Sequence, residues 1–384
     1  MKAVLVALLA LHGAIHLMGF AKAFGLANLA ALRLPISRPV GMLWLVAALA
    51  FVVSAGTVHA GWRYWAAVAA PAIVLSQVLV VLAWSDAKVG TVANLLLLAP
   101  TVLGLLDLRG SSFRSRFERD AAAAQERVRP ARIVTEADLA GLPPQVQRYV
   151  RRTNAVGRER VSAVHVRFRG TMRPSPEADW MTIRAEQLDT FAVPERLFLM
   201  DARRSGVPFQ ALHVYRGETA TMQVRVASMF DVVDARGAKL DQSETVTFFN
   251  DICLLAPAAL VDADVEWRDL DPHHVLATFR NGGQTIRATL TFDAEGDLVD
   301  FVSNDRYMSA DGKTYEQHPW STPVHEYREL GGARLPSRVE ALWKRPGGDF
   351  VYARFVVEDV RYQLGGGPDA ARKFAADARA PTLP

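Results

Sequence analysis

The sequence predicts a multi-domain membrane protein. A four-helix transmembrane module is followed by a mainly antiparallel β domain, a curved sheet of about eleven or twelve strands with one plug helix. Three observations predict it. Charge is nearly absent from residues 1–108. Apolar–polar alternation runs from Val161 onward, and one segment of helical spacing, residues 242–260, interrupts it.

Residues 1–108 contain six basic residues (Lys2, Lys22, Arg33, Arg38, Arg63, Lys88) and two acids (Asp86, Asp107). A membrane-crossing helix needs about 20 mostly apolar residues. Four stretches qualify: Ala3 to Phe24, Val40 to Val58, Tyr64 to Trp84 and Val89 to Leu108. Trp44, Trp62, Trp65 and Trp84 fall toward span ends, where interfacial aromatics belong. Pro71 and Pro100 lie inside the third and fourth spans, which predicts that these spans pack against neighbours able to satisfy the freed carbonyls. The first apolar run is long for a signal peptide, and Lys22 sits where cleavage would fall, so a retained helix is expected.

Residues 109–160 read as a basic helical connector. Seven arginines follow the last span within 24 residues, at 109, 114, 116, 119, 127, 129 and 132. Residues 1–132 therefore hold 13 basic and 5 acidic groups, and the remainder holds 31 and 35. The basic character is juxtamembrane, suited to anionic lipid headgroups, and the mildly acidic β domain argues against a nucleic-acid partner. With four spans, the basic excess predicts both termini and the β domain on the cytoplasmic side. "LPPQVQRYVRR" opens with prolines suited to a helix start and puts Val146, Tyr149 and Val150 on one face.

Residues 161–364 form the β domain. Segments such as "VSAVHVRFRG", "TATMQVRVASMF", "QTIRATLTFD" and "FVYARFVVEDVRY" alternate. Turn chemistry separates them at Asn281-Gly282-Gly283, Glu295-Gly296-Asp297, Asp311-Gly312, Gly331-Gly332 and Gly347-Gly348. In residues 242–260 Ser243 is a plausible N-cap, and Val246, Phe249, Ile252, Cys253 and Leu255 give an apolar side. Pro257 marks the end. Residues 365–384 read as a polar, disordered tail.

Few residues suggest chemistry. His12 and His16 share a helix face inside the first span. Two imidazoles do not complete a zinc site. Hydrogen bonding between helices is the simpler reading, with Gly13 and Gly19 allowing close approach. Gln77 and Asn94 are the other deep polar side chains, suited to bonding each other. Cys253 is the single cysteine and has no internal disulfide partner. His273 and His274 are adjacent on a strand and point to opposite faces. Asp262, Asp264 and Glu266 read as an acidic edge rather than a Ca²⁺ site. No G-x-S-x-G, H-E-x-x-H, G-x-x-x-x-G-K-[ST] or C-x-x-C motif is present. No catalytic residue, metal or cofactor is therefore indicated, and the sequence favours a non-enzyme.

The aromatics carry more. Trp180, Phe198, Phe249, Trp267, Trp320, Trp343 and Tyr352 are spread over the strands and the plug helix. In a curved sheet they either fill the core or line a cavity for a lipid or acyl chain, with Arg184 and Arg328 as candidate headgroup anchors.

Several stretches resemble an uncharacterised family of bacterial membrane proteins that carry a domain of unknown function. They are "LPPQVQRYVRR", "FFNDICLLAPAAL" with "VEWRDLD", "FDAEGDLVDF", "HPWSTPVHEYRELGGARLPSRVEALW", "FVYARF" and, in the membrane part, "SDAKVGTVANLLLL". The resemblance implies a bacterial inner membrane location and no activity. "HEYRELGGARLPSRVE" is also similar to the strand–turn–strand near the end of LolA/LolB-like lipoprotein-carrier half-barrels. That likeness implies a sheet that shields an acyl chain. Such carriers work outside the cytoplasmic membrane, which disagrees with the charge-derived orientation. Three functions follow as expectations: binding of a lipid or other hydrophobic ligand, membrane redox or haem binding through His12 and His16, or a scaffold for an unidentified protein partner.

Overall fold

The computed structural model describes residues 2–29, 32–126, 132–309 and 311–364. Arg127, Arg129 and the expected tail, 365–384, lie outside the described residues. The chain divides between Ser115 and Arg116 into two compact units.

The first unit holds helices α1 (Lys2–Ala23), α2 (Arg38–His59), α3 (Trp65–Leu82), the single turn α4 (Trp84–Ala87) and α5 (Gly90–Asp107). The four long helices are long and apolar enough to cross a membrane. Their outward faces are apolar: Val74, Val78, Leu95 and Leu96 are exposed. Small or polar side chains such as Ala66, Ala69, Ser76 and Asn94 turn inward. This inversion of the soluble pattern suits helices solvated by acyl chains, where small residues allow close packing. Gly19 is one such contact, since a Cβ there would collide with the Trp44 indole. The third helix stops at Leu82, two residues short of the expected Trp84, because the backbone breaks at Ala83 before α4.

The connector contributes α6 (Phe113–Gln125) and α7 (Pro144–Arg152). In α7 the expected face is buried, with Val146, Tyr149 and Val150 all fully inaccessible.

The first arm of the β unit is a meander. It comprises β1 (Val161–Met172), β2 (Met181–Thr190), β3 (Glu195–Arg204), β4 (Val207–Arg216), β5 (Thr219–Val226) and β6 (Phe230–Arg236). Helix α8 (Ala238–Leu255) and a 3₁₀ turn (Pro257–Val261) then cross over. The second arm begins with β7 (Val265–Asp269), β8 (His274–Asn281), β9 (Gln284–Phe292) and β10 (Leu298–Ser303). A short pair, β11 (Tyr307–Met308) and β12 (Glu316–Gln317), and β13 (Trp320–Ser321) follow. The arm ends with β14 (Val324–Leu330), β15 (Ala333–Arg345) and β16 (Gly348–Leu364). The main sheet is antiparallel, in the order β6-β5-β4-β3-β2-β1-β16-β15-β13-β10-β9-β8-β7, with β14 also paired to β15. The first strand thus pairs with the last, and the two arms spread from that seam.

The sheet curls around α8, which packs on strands of both arms, including β4, β5, β9, β10 and β15. Thirteen consecutive residues of α8, Ser243 to Leu255, are buried. The architecture is the expected apolar helical module followed by a half-barrel with a plug helix.

The strands among the described residues number sixteen, above the expected eleven or twelve, chiefly because β11, β12 and β13 are two residues each and too short to show alternation. Two further details differ from the sequence reading. The plug helix starts four residues before residue 242. Gly237, at φ 106°, turns the chain out of β6 into the helix. Ser243 is therefore inside the helix, where its Oγ donates to the Lys239 carbonyl at 2.7 Å, and it is not the N-cap. Strand β6 is the second: it lies at the sheet edge with Phe230, Asp231 and Val232 all exposed, so it has no alternation to read.

Candidate functional site

Helix α8 has two different buried faces. One packs as core: the Phe249 ring stacks on Phe279 at 4.7 Å and lies 5.8 Å from Phe301. The other carries Glu244, Thr247, Asn250, Asp251 and Leu254 and lines a cavity of about 160 Å³ on the concave side of the sheet. Alternation along β1 and β3 sends Phe168, Met172, Phe198 and Met200 into the same space. On β16 a bulge at Tyr352, opposite Ala341 and Leu342, shifts the register, so Tyr352 and Phe355, three residues apart, both reach it, and β13 adds Trp320.

A charged network lies along one side of this apolar cavity. Arg196 is 6% exposed. Its Nε donates to Asp251 Oδ2 at 2.6 Å, its Nη1 to Glu244 Oε2 at 3.1 Å, and its Nη2 to Gln187 Oε1 at 3.3 Å. Gln187 Nε2 donates in turn to Asp251 at 2.8 Å and to Asp189 Oδ2 at 2.7 Å. His213 Nδ1 lies 3.6 Å from Glu244 Oε1. Burial pushes the Glu244 carboxyl up, but His213, Arg196 and Arg306 outweigh it and hold the group at about 2. Asp189 is driven the other way, well above the usual carboxylate range, by burial and then by the Asp251 charge. Asp251 is also raised by burial, against the pull of Arg196. Of the three acids, Glu244 is the one held ionised.

A second cation enters from the run after β10. Gln242 Nε2 donates to the Asp305 carbonyl at 2.8 Å, and Tyr307 N–H donates to Ser243 Oγ at 2.9 Å. These bonds lay residues 305–307 along α8. Arg306 between them reaches the cavity, donates from Nε to Thr247 Oγ1 at 3.1 Å, and packs over Trp320 (4.5 Å) and Trp343 (5.3 Å).

Of the nine residues named from sequence, Phe198, Trp320 and Tyr352 line the cavity. Trp343 backs it through Arg306. Phe249 belongs to the core face of α8, and Trp267 packs near it at 6.4 Å. Trp180 lies elsewhere, between Arg173 and Arg354 at 4.7 Å from each. Arg184 and Arg328 do not serve as cavity anchors. Both are exposed, and Arg328 pairs with Glu326 at 3.0 Å. Strand alternation sends them to the convex face; the cations inside are Arg196 and Arg306.

In the helical unit, Asn94 Oδ1 accepts from His12 Nε2 and from Ser76 Oγ, both at 2.9 Å. Asn94 Nδ2 donates to Gln77 Oε1 at 3.0 Å, and Gln77 Nε2 donates to Thr91 Oγ1 at 3.1 Å. The cluster joins α1, α3 and α5. His16 Nδ1 donates to the His12 carbonyl at 2.8 Å, and its ring lies 5.1 Å from Trp44 and 5.4 Å from Phe51.

Two larger depressions are also present. One, about 620 Å³, lies on the convex face, where Arg338 pairs with Glu326 at 3.0 Å and Arg354 with Glu340 at 2.9 Å. The other, about 580 Å³, lies beside Arg158, Pro257 and Tyr362. The concave cavity is the stronger candidate, because only there do apolar walls and displaced carboxyl groups converge. Among the described residues, no group of three or more His, Cys, Asp or Glu side chains is placed to hold a metal ion. Cys253 is buried in α8, and burial pushes its thiol well up.

The geometry defines a curled-sheet half-barrel protein with apolar N-terminal helices. Within that class, the chain belongs to the family of unknown function DUF6544, whose model matches residues 132–355. No curated protein matches it. Among solved structures it is similar to a DUF1329 family protein from Desulfovibrio piger, at 11% identity and TM-score 0.32, over 54% of this chain and 88% of that one. It is also similar to a LolA superfamily protein from Nitrosomonas europaea, at 10% identity and TM-score 0.31, over 66% and 95%. A third is a putative outer membrane lipoprotein-sorting protein domain from Vibrio parahaemolyticus, at 10% identity and TM-score 0.29, over 55% and 90%.

Proposed function

We propose that this is a multi-pass protein of the bacterial inner membrane whose β domain binds a lipid or another hydrophobic ligand in its concave cavity. The working division is residues 1–108 as membrane anchor, 109–160 as connector, 161–364 as binding domain and 365–384 as tail. The observation that supports binding is the cavity itself, walled by Phe168, Met172, Phe198, Met200 and Phe355 in the interior of a sheet that is otherwise filled. Its size limits the ligand. At about 160 Å³ it is below the roughly 300–1,000 Å³ usual for small-molecule sites and close to the ~150 Å³ that accepts a benzene ring. It therefore takes a single chain end or ring, not a whole diacyl lipid. The basic residues after the last span support a cytoplasmic β domain.

The test is mild-detergent purification of the full chain, followed by mass spectrometry and an absorbance spectrum of what co-purifies. A stoichiometric apolar molecule without visible absorbance is expected, and W320A should lose it. A Soret band that disappears in H12A would overturn this reading. Reporter fusions after Leu364 test the orientation, with a cytoplasm-active reporter expected to be functional.

A further inference from the structure

We propose that the ligand is an anionic single-chain amphiphile whose oxyanion head is read by Arg306 and Tyr352 while its chain fills the apolar part of the cavity. The proposal rests on the binding reading above and names the chemistry that this site selects. The two cavity arginines differ in how fully they are used. Arg196 is committed to Asp251, Glu244 and Gln187, one bond each from Nε, Nη1 and Nη2. Arg306 is not. A guanidinium carries five N–H donors in one plane. Among the described residues the hydrogen bond from Arg306 is the one from Nε to Thr247 Oγ1. Its approach to Glu244 is 3.9 Å, outside hydrogen-bond range. Its faces are packed over Trp320 and Trp343, which fixes the plane and leaves the donor edge.

Tyr352 adds a second donor. Its oxygen accepts from Trp320 Nε1 at 3.1 Å, so its own O–H is directed elsewhere, and the residue lines the cavity. A partly buried cation with unfilled coplanar donors and an adjacent hydroxyl matches a carboxylate or phosphate oxyanion. The chain then has Phe168, Met172, Met200, Leu254 and Phe355 to lie against.

The test uses the full chain in lipid nanodiscs, with octanoate, octyl phosphate and 1-octanol titrated calorimetrically and empty discs subtracted. All three share one chain and differ in head. At least one of the two anions should bind about tenfold more tightly than octanol, and that preference should fall to about twofold or less in R306Q. Whichever anion is preferred identifies the head as carboxylate or phosphate. Y352F should lose part of the preference and keep octanol binding. Equal binding of octanol and both anions, or a preference that survives R306Q, overturns the proposal and leaves hydrophobic binding standing. Binding of none of the three overturns both. If R306Q does not fold, R306K carries the test, because it keeps the charge and loses the planar fork.

Discussion

Arg196 is buried with three side-chain partners, and removing it leaves Asp251 without its cation and Glu244 with only the longer approaches of His213 (3.6 Å) and Arg306 (3.9 Å). Breaking a buried pair from one side costs about 3–5 kcal/mol. R196Q should therefore lower the melting temperature of the β unit by roughly 6–20 °C, read by circular dichroism. A fall of only a degree or two would show that water already screens the network. Asp189 and Glu244 give opposite pH dependences. Glu244, held near 2, stabilises the fold fully above its ordinary value of 4.5, and that contribution is lost as pH falls toward 2. Asp189 is raised, so its contribution is present below 3.8 and is lost as pH rises through the folded value. D189N removes the second effect only. Its melting temperature relative to the wild type should rise between pH 4 and pH 8, and parallel profiles would contradict this assignment.

At the scale of elements, α8 ends inside the protein, where its last carbonyls need donors. Tyr149 from α7 donates to the Cys253 carbonyl at 2.8 Å, and Tyr362 from β16 donates to that of Leu255 at 2.5 Å. Leaving such a carbonyl unpaired costs about 1–3 kcal/mol. Y149F and Y362F should each lower the melting temperature by several degrees and speed amide exchange in the last turn of α8. Unchanged exchange would mean that water replaces the hydroxyls. The elements themselves were largely legible. Length and apolarity located the four long helices, and the Val146, Tyr149, Val150 spacing located α7. The binding face of α8 was not. Glu244, Thr247, Asn250 and Asp251 look like an ordinary solvent face until both arms of the sheet close over them. One signal was present: from Leu240 to Leu255 the helix has acids but no lysine or arginine. Exposed helix faces mix both signs. Arg306 was equally hidden, because its position depends on the run 305–307 lying along α8 and not on any periodicity.

At the scale of the whole molecule, the β unit has its own continuous core, from Leu139 in the connector to Val360 in β16. A fragment beginning at Arg109 should therefore remain folded, with a cooperative thermal transition and β-type circular dichroism. The full chain should resist carbonate extraction from membranes. A fragment that aggregates without a transition would show that the helical unit is needed for folding. The seam between β1 and β16 has a further consequence, in time rather than in space. Val161 pairs with Leu364, so the middle of the finished sheet joins segments made some 200 residues apart. At 5–20 residues per second, roughly 10–40 s separate their synthesis. During that interval the nascent first arm carries an open strand edge at what will become its centre. That edge is where a chaperone has most to protect, and where β1 of a neighbouring nascent chain could take the place reserved for β16.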